Sequence, residues 1–188
     1  MDFSWRLIVQ VLLLPSDVEI YPNLLALVLR QRNIVCWAVA LTRQLEAFLK
    51  KYGLLDYSYS LPIQVAINLL PWNRRGEHGY LIDIYHAIPI FAHVGTVLEE
   101  ERPLTFSVVD VSHPTDLPHA QRFLCRGMKV HFLSTFKKTR GREVMFEQLL
   151  RRLVKRSPIT VWIPMTASNS SLQGKEIYNP SSEELEGS

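Results

Sequence analysis

Cysteine is scarce in this chain: Cys36 and Cys125 are the only two in 188 residues, and each sits inside an apolar stretch. Two isolated thiols of this kind point to buried free cysteines rather than a disulfide or a metal pair, which fits a reducing compartment. Long apolar runs are also missing. The longest, 7–15, is broken by Gln10 and falls far short of the ~20 residues that a membrane span needs. No basic segment of sufficient length precedes it and no small-residue cleavage pattern comes after it, so neither a signal peptide nor a transmembrane span is expected. The glycines are few, and Gly76, Gly79 and Gly95 have the wrong spacing to cradle a phosphate. No serine or cysteine stands in a recognisable nucleophile setting, and there is no internal repeat. Nothing in the sequence names a reaction, and the expectation is a non-enzyme without a cofactor.

What the chain does have is segregated charge. Its formal net charge is only +3. The segment 122–156 nevertheless holds eleven Lys or Arg against Glu143 and Glu147, a local +9. Residues 1–121 carry nine basic and twelve acidic side chains, and 157–188 carry one and four, so each flank is −3. A basic face of this kind fits a polyanion, either nucleic acid or an anionic lipid surface. The candidate polyanion-binding residues are Arg126, Lys129, Lys137, Lys138, Arg140, Arg142, Arg151, Arg152, Lys155 and Arg156. Four of them crowd into the six residues 137–142, and the helix expected next carries no balancing acid in its last two turns. The apolar side of that helix is expected to belong to the core, which narrows the binding elements to 137–142 and 151–156.

With 47% hydrophobic and 21% charged residues the chain is ordinary globular material of single-domain length. Residues 5–13 are rich in β-formers and end at Pro15, which predicts a strand; 24–30 predicts a short helix after Pro22 and Asn23. The apolar run 34–41 reads as a strand. Thr42 would then cap a helix over 43–52, closed by Gly53 after a lysine-rich turn. Ile63, Val65, Ile67 and Leu69 alternate as in a strand, and 80–85, 88–98 and 104–111 look like further strands. A polar loop is expected at 72–79. Met128, Val130 and Phe132 would face opposite Lys129, His131 and Leu133 on a strand over 128–136. Phe146, Leu149, Leu150, Leu153 and Val154 make one stripe of an amphipathic helix over 143–155, on which Glu147 and Arg151 are an i,i+4 pair. A last strand is expected at 159–163. The fold class expected is α+β: a mostly antiparallel sheet or sandwich with two early helices and one late amphipathic helix. One globular domain would cover 1–165, and the Ser-, Gly- and Glu-rich 166–188 would form a flexible acidic tail.

Other constellations are weaker. Asp110, His113, Asp116 and His119 stand three apart in a proline-stiffened stretch, but their spacing matches no known metal motif. His86 and His93 are an odd number apart and would face oppositely on a strand. Asp83 and the acids 99–101 could be paired with Lys129 as nuclease carboxylates, although an acidic run is more simply a solvated turn. Trp37 and Trp162 fit the core, whereas Trp72 beside Arg74 and Arg75 could be an exposed docking aromatic.

The order of these elements resembles the globular domain of rhabdovirus matrix proteins, in the short form of plant-infecting members. The resemblance covers most of 3–164. It rests on the strand 5–13, a helix at 21–28 opening with Tyr21, Pro22 and Asn23, the apolar strand 34–41, a helix around 45–49, and a strand region ending at Leu70 and Pro71. An Arg102-Pro103-led strand to Asp110 and a late helix with a final strand complete it. Two features usual in that family are missing, a lysine-rich N-terminal arm and a proline–tyrosine motif. The resemblance implies a viral structural protein that self-associates, binds the nucleocapsid or its RNA, and attaches peripherally to an anionic membrane in the virion and host cytoplasm. The alternatives are a small nucleic-acid-binding regulator, such as a viral silencing suppressor, and a metal-dependent nuclease using Asp110, His113, Asp116 and His119.

Overall fold

A computed structural model of the chain describes residues 8–12, 35–74, 81–101, 103–105, 119–131 and 141–163. At its centre is helix α1, Cys36–Lys51. Of the run 34–41, expected as a strand, residues 36–41 form the first turns of α1. An unbroken apolar run carries no period of its own, and here it continues into the amphipathic segment 43–52, so that together they are long enough for a buried helix. Thr42 is therefore not a cap. It is fully buried in mid-helix, and its hydroxyl has no partner among the described residues. The other end agrees with the sequence reading. Gly53, at φ +67°, allows the left-handed turn, with Gly53 N–H donating to the Lys50 carbonyl (3.0 Å) and Leu54 N–H to the Leu49 carbonyl (2.8 Å).

Trp37, Ala38, Leu41, Leu45 and Leu49 of α1 form one face of the core. Helix α2, Ile63–Leu69, packs against it. The alternation of apolar residues in this segment predicts a strand. Yet Ile63, Gln64, Val65, Ala66 and Ile67 are all buried, so the alternation does not separate an inner from an outer face. Its polar residues show the helical period: Gln64 Nε2 donates to Asn68 Oδ1 four residues on (2.7 Å), while Gln64 Oε1 accepts from the Thr105 N–H and hydroxyl (3.1 and 3.0 Å).

The strands expected at 80–85 and 88–98 are replaced by short tight turns where described, a 3₁₀ turn Ile84–His86 and a π turn Ile90–Val94. Leu81, Ile84, Ala87 and Ile90 are buried at every third position, the spacing of a 3₁₀ helix, not a strand. Gly95, at φ +74°, ends the π turn, and Thr96 then exchanges two backbone hydrogen bonds with Phe123 (2.9 and 2.8 Å). That bridge anchors 119–131 to the core. Residues 128–131 are not a strand, but their alternation holds: Met128 and Val130 pack on the core while Lys129 and His131 are exposed. The rest of 128–136 and most of 104–111 lie outside the described residues, as do the helix 24–30 and the tail 166–188. Of the polar loop expected at 72–79, the described part is a 3₁₀ turn, Trp72–Arg74.

The first and last described elements close the fold. Strand β1, Ile8–Leu12, pairs antiparallel with β2, Ile159–Ile163, with Gln10 opposite Val161. This two-stranded sheet is the one sheet among the described residues. Both strands lie beside α1. Helix α3, Arg142–Val154, precedes β2 and carries the expected stripe: Phe146, Leu149, Leu150, Leu153 and Val154 are all half-buried. Two strands in the order that resembles the matrix family, 34–41 and the region ending at Pro71, are thus helical over 36–41 and 63–69.

Candidate polyanion-binding surface

The basic residues fall at three places. Arg126 and Lys129 are exposed on the segment that Phe123 anchors. Arg142 opens α3, while Lys137, Lys138 and Arg140 lie outside the described residues. Arg151, Arg152, Lys155 and Arg156 are exposed at the C-terminal end of α3.

The α3 helix and the segment leading into β2 together build that last group. Arg151 and Arg152 occupy the final turn, where cations meet the negative end of the helix dipole. Arg151 is engaged by Glu147, Nε and Nη2 reaching Glu147 Oε1 at 2.8 and 2.7 Å. Both side chains are largely in water, so the pair contributes at most about 1 kcal/mol, but it neutralises one of the four charges. Arg152, Lys155 and Arg156 have no ion pair among the described residues. After Arg156 the chain is tied back onto α1. Tyr52 Oη donates to the Arg156 carbonyl (2.6 Å), Gln44 Nε2 to the Pro158 carbonyl (3.0 Å), and Thr160 Oγ1 to the Ala40 carbonyl (3.4 Å). Residues 40, 44 and 52 lie on one stripe of α1, so the C-terminal ends of α1 and α3 are held side by side.

Acidic side chains lie in the loop that follows α1 and in the turn joined to it. Asp56 accepts from the Ser58 hydroxyl (2.6 Å) and N–H (2.8 Å), and these bonds hold its carboxyl below the usual range. Glu99–Glu101 is a short 3₁₀ turn joined to the same loop, Glu99 N–H donating to the Ser60 carbonyl (2.9 Å). Ser58, Tyr59, Ser60, Leu98, Glu99 and Glu100 line an open cleft of about 320 Å³ whose acids would repel a polyanion.

The other candidates are resolved in part. Of Asp110, His113, Asp116 and His119, only His119 is described, and it is exposed. Among the described residues no three His, Cys, Asp or Glu side chains gather as metal ligands would. Asp83 caps the 3₁₀ turn, accepting from the Tyr85 N–H (3.0 Å), so its carboxylate has a structural task. His86 and His93 lie on the 3₁₀ and π turns, not on a shared strand. Trp37 is in the core. Burial pushes both Cys36 and Cys125 thiols up from their usual range. No described helix is long and apolar enough to cross a membrane.

Sequence reasoning missed two features. One is a buried charge cluster on α1: Glu46, fully buried, accepts from Arg43, from Lys50 Nζ (2.7 Å) and from the Leu61 N–H (3.0 Å). The i,i+3 and i,i+4 spacing is legible, but helical pairs of this spacing are usually solvated, and burial depends on the loop that returns to cover them. The other is the exposure of Tyr52 and Leu54 at the end of α1. No protein family matches the sequence, and no curated protein matches it.

Proposed function

We propose that this chain is a non-enzymatic structural protein of the viral matrix kind, which self-associates and bridges a ribonucleoprotein to an anionic membrane while lying peripheral to the bilayer. The observation that carries this reading is the exposed basic group at the C-terminal end of α3, of which only Arg151 is paired with an acid among the described residues. Arg152, Lys155 and Arg156 are exposed at one end. Arg142 starts the other, directly after Lys137, Lys138 and Arg140 in the chain. Helix α3 is thirteen residues long, about 20 Å. Arg126 and Lys129 add exposed charge without ion pairs among the described residues.

Phosphate contacts of this type give salt-sensitive, sequence-independent binding to RNA. Replacing Lys137, Lys138, Arg140 and Arg142 by Ala should weaken binding to single-stranded RNA and lower the dependence on salt, with the far-ultraviolet circular dichroism unchanged. Unaltered RNA binding in this variant would show that the wrong surface is named. Sedimentation at high protein concentration and low salt tests self-association: the reading expects polymers. A chain that stays monomeric and binds RNA but not vesicles would be a small nucleic-acid-binding regulator instead.

A further inference from the structure

The end of α1 presents an apolar tip beside the basic end of α3. Gly53 turns the chain outward at φ +67°, and the two returning backbone hydrogen bonds, from Gly53 and Leu54 to the Lys50 and Leu49 carbonyls, make the turn rigid. Leu54 is left 60% exposed and Tyr52 53% exposed, although the Tyr52 ring leans on Phe48 with centroids 4.7 Å apart. Nothing in the turn's own bonding requires a leucine at its outermost position. The Tyr52 hydroxyl, bonded to the Arg156 carbonyl, ties this tip to the segment that carries Arg156, just after Arg152 and Lys155 in the chain.

We propose that Tyr52 and Leu54, with Arg152, Lys155 and Arg156, form the surface that seats on an anionic lipid bilayer. This rests on the polyanion-binding reading and identifies which polyanion meets this end of the molecule. Leu54 is aliphatic: it offers a nucleotide neither a hydrogen bond nor a flat ring to stack on, whereas it suits the acyl boundary of a bilayer. Tyrosine is at home at the headgroup level, with its ring among apolar groups and its hydroxyl bonded. The three cations match the sign of the leaflet, each strengthening attachment by about fivefold. Asp56, two residues beyond Leu54, and the Glu99–Glu101 turn joined to the same loop mark the limit of the footprint. Arg142, the first residue of α3, lies about 20 Å along the helix from this end, and in the sequence Lys137, Lys138 and Arg140, left for the ribonucleoprotein, come just before it.

The test is co-sedimentation of the full chain with phosphatidylcholine vesicles and with phosphatidylcholine–phosphatidylserine vesicles, alongside binding to a single-stranded RNA. Leu54→Ser should weaken attachment to the anionic vesicles about tenfold, as expected for losing a partly buried leucine side chain, and leave RNA binding unchanged. Arg152→Ala with Lys155→Ala and Arg156→Ala should weaken it about a hundredfold. Ile82→Ser, at an equally exposed apolar residue elsewhere, should change nothing. Undiminished vesicle binding by Leu54→Ser would overturn the proposal, and so would a parallel loss of RNA binding or a loss of self-association in its place. A wild-type chain that binds RNA but no vesicle overturns the proposal together with the membrane half of the proposed function, whereas wild-type vesicle binding that Leu54→Ser leaves intact overturns the proposal alone. Binding to neither removes the polyanion reading as well.

Discussion

Glu46→Gln should be the most damaging polar substitution in the described core. The wild-type carboxylate is fully buried and takes three donors, the Arg43 guanidinium, Lys50 Nζ and the Leu61 N–H. Lys50 itself is 3% exposed and Arg43 9% exposed, so water does not compensate for a lost partner. An amide keeps the shape but removes the charge that balances two cations. Breaking a buried ion pair from one side costs about 3–5 kcal/mol, a large part of a total stability of roughly 5–15 kcal/mol. For a chain of this size the loss corresponds to a fall in Tm of roughly 6–20 °C. Urea unfolding monitored by circular dichroism reads it as a lower midpoint at unchanged slope. The triple change Arg43→Met, Glu46→Leu and Lys50→Met removes every charge together and should lie within about 2 kcal/mol of wild type, because no ion is stranded. A Glu46→Gln protein within about 1 kcal/mol of wild type would refute the reasoning, as would a triple variant no better than the single one.

Other substitutions separate the remaining parts of the account. At Gly95 a Cβ would stand 2.5 Å from the Phe123 carbonyl oxygen, so Gly95→Ala should break the bridge to Thr96 and cost well over the ~1 kcal/mol of a left-handed alanine; Gly53→Ala, with open space around it, should cost only about that much. Differential scanning calorimetry orders the two. Phe91→Ala, emptying a fully buried position, should cost about 3–5 kcal/mol by urea unfolding. Because burial raises both thiol pKa values, less thiolate exists near neutral pH than in a free cysteine; alkylation of Cys36 and Cys125 by iodoacetamide should be slow there and accelerate toward alkaline pH.

The sequence is most legible where one face of an element meets water. The α3 stripe, the Glu147–Arg151 pair, the glycine closing α1 and the alternation around Lys129 all carry a contrast between a wet and a dry side, and that contrast is what periodicity measures. Legibility fails where the contrast vanishes. Most side chains of 36–41 and 63–69 are buried whichever face they lie on, so their apolar residues reflect burial more than backbone period. Better signals are present: the i,i+4 pair Gln64 and Asn68, the threefold spacing from Leu81 to Ile90, and the continuity of 34–41 with 43–52. The basic surface is legible as charge but not as geometry. Only tertiary contact brings Tyr52 to Arg156, and nothing local in either segment announces the other.

Under the proposed function, one chain joins an RNA to an anionic membrane. Flotation of a labelled single-stranded RNA through a density gradient tests it most directly, with vesicles and the full chain added together at low salt. The account predicts that RNA rises with phosphatidylserine-containing vesicles only when the protein is present. It should stay at the bottom with neutral vesicles or when salt is raised severalfold. If the protein floats and the RNA does not, or if neutral vesicles serve equally well, the bridging account is wrong.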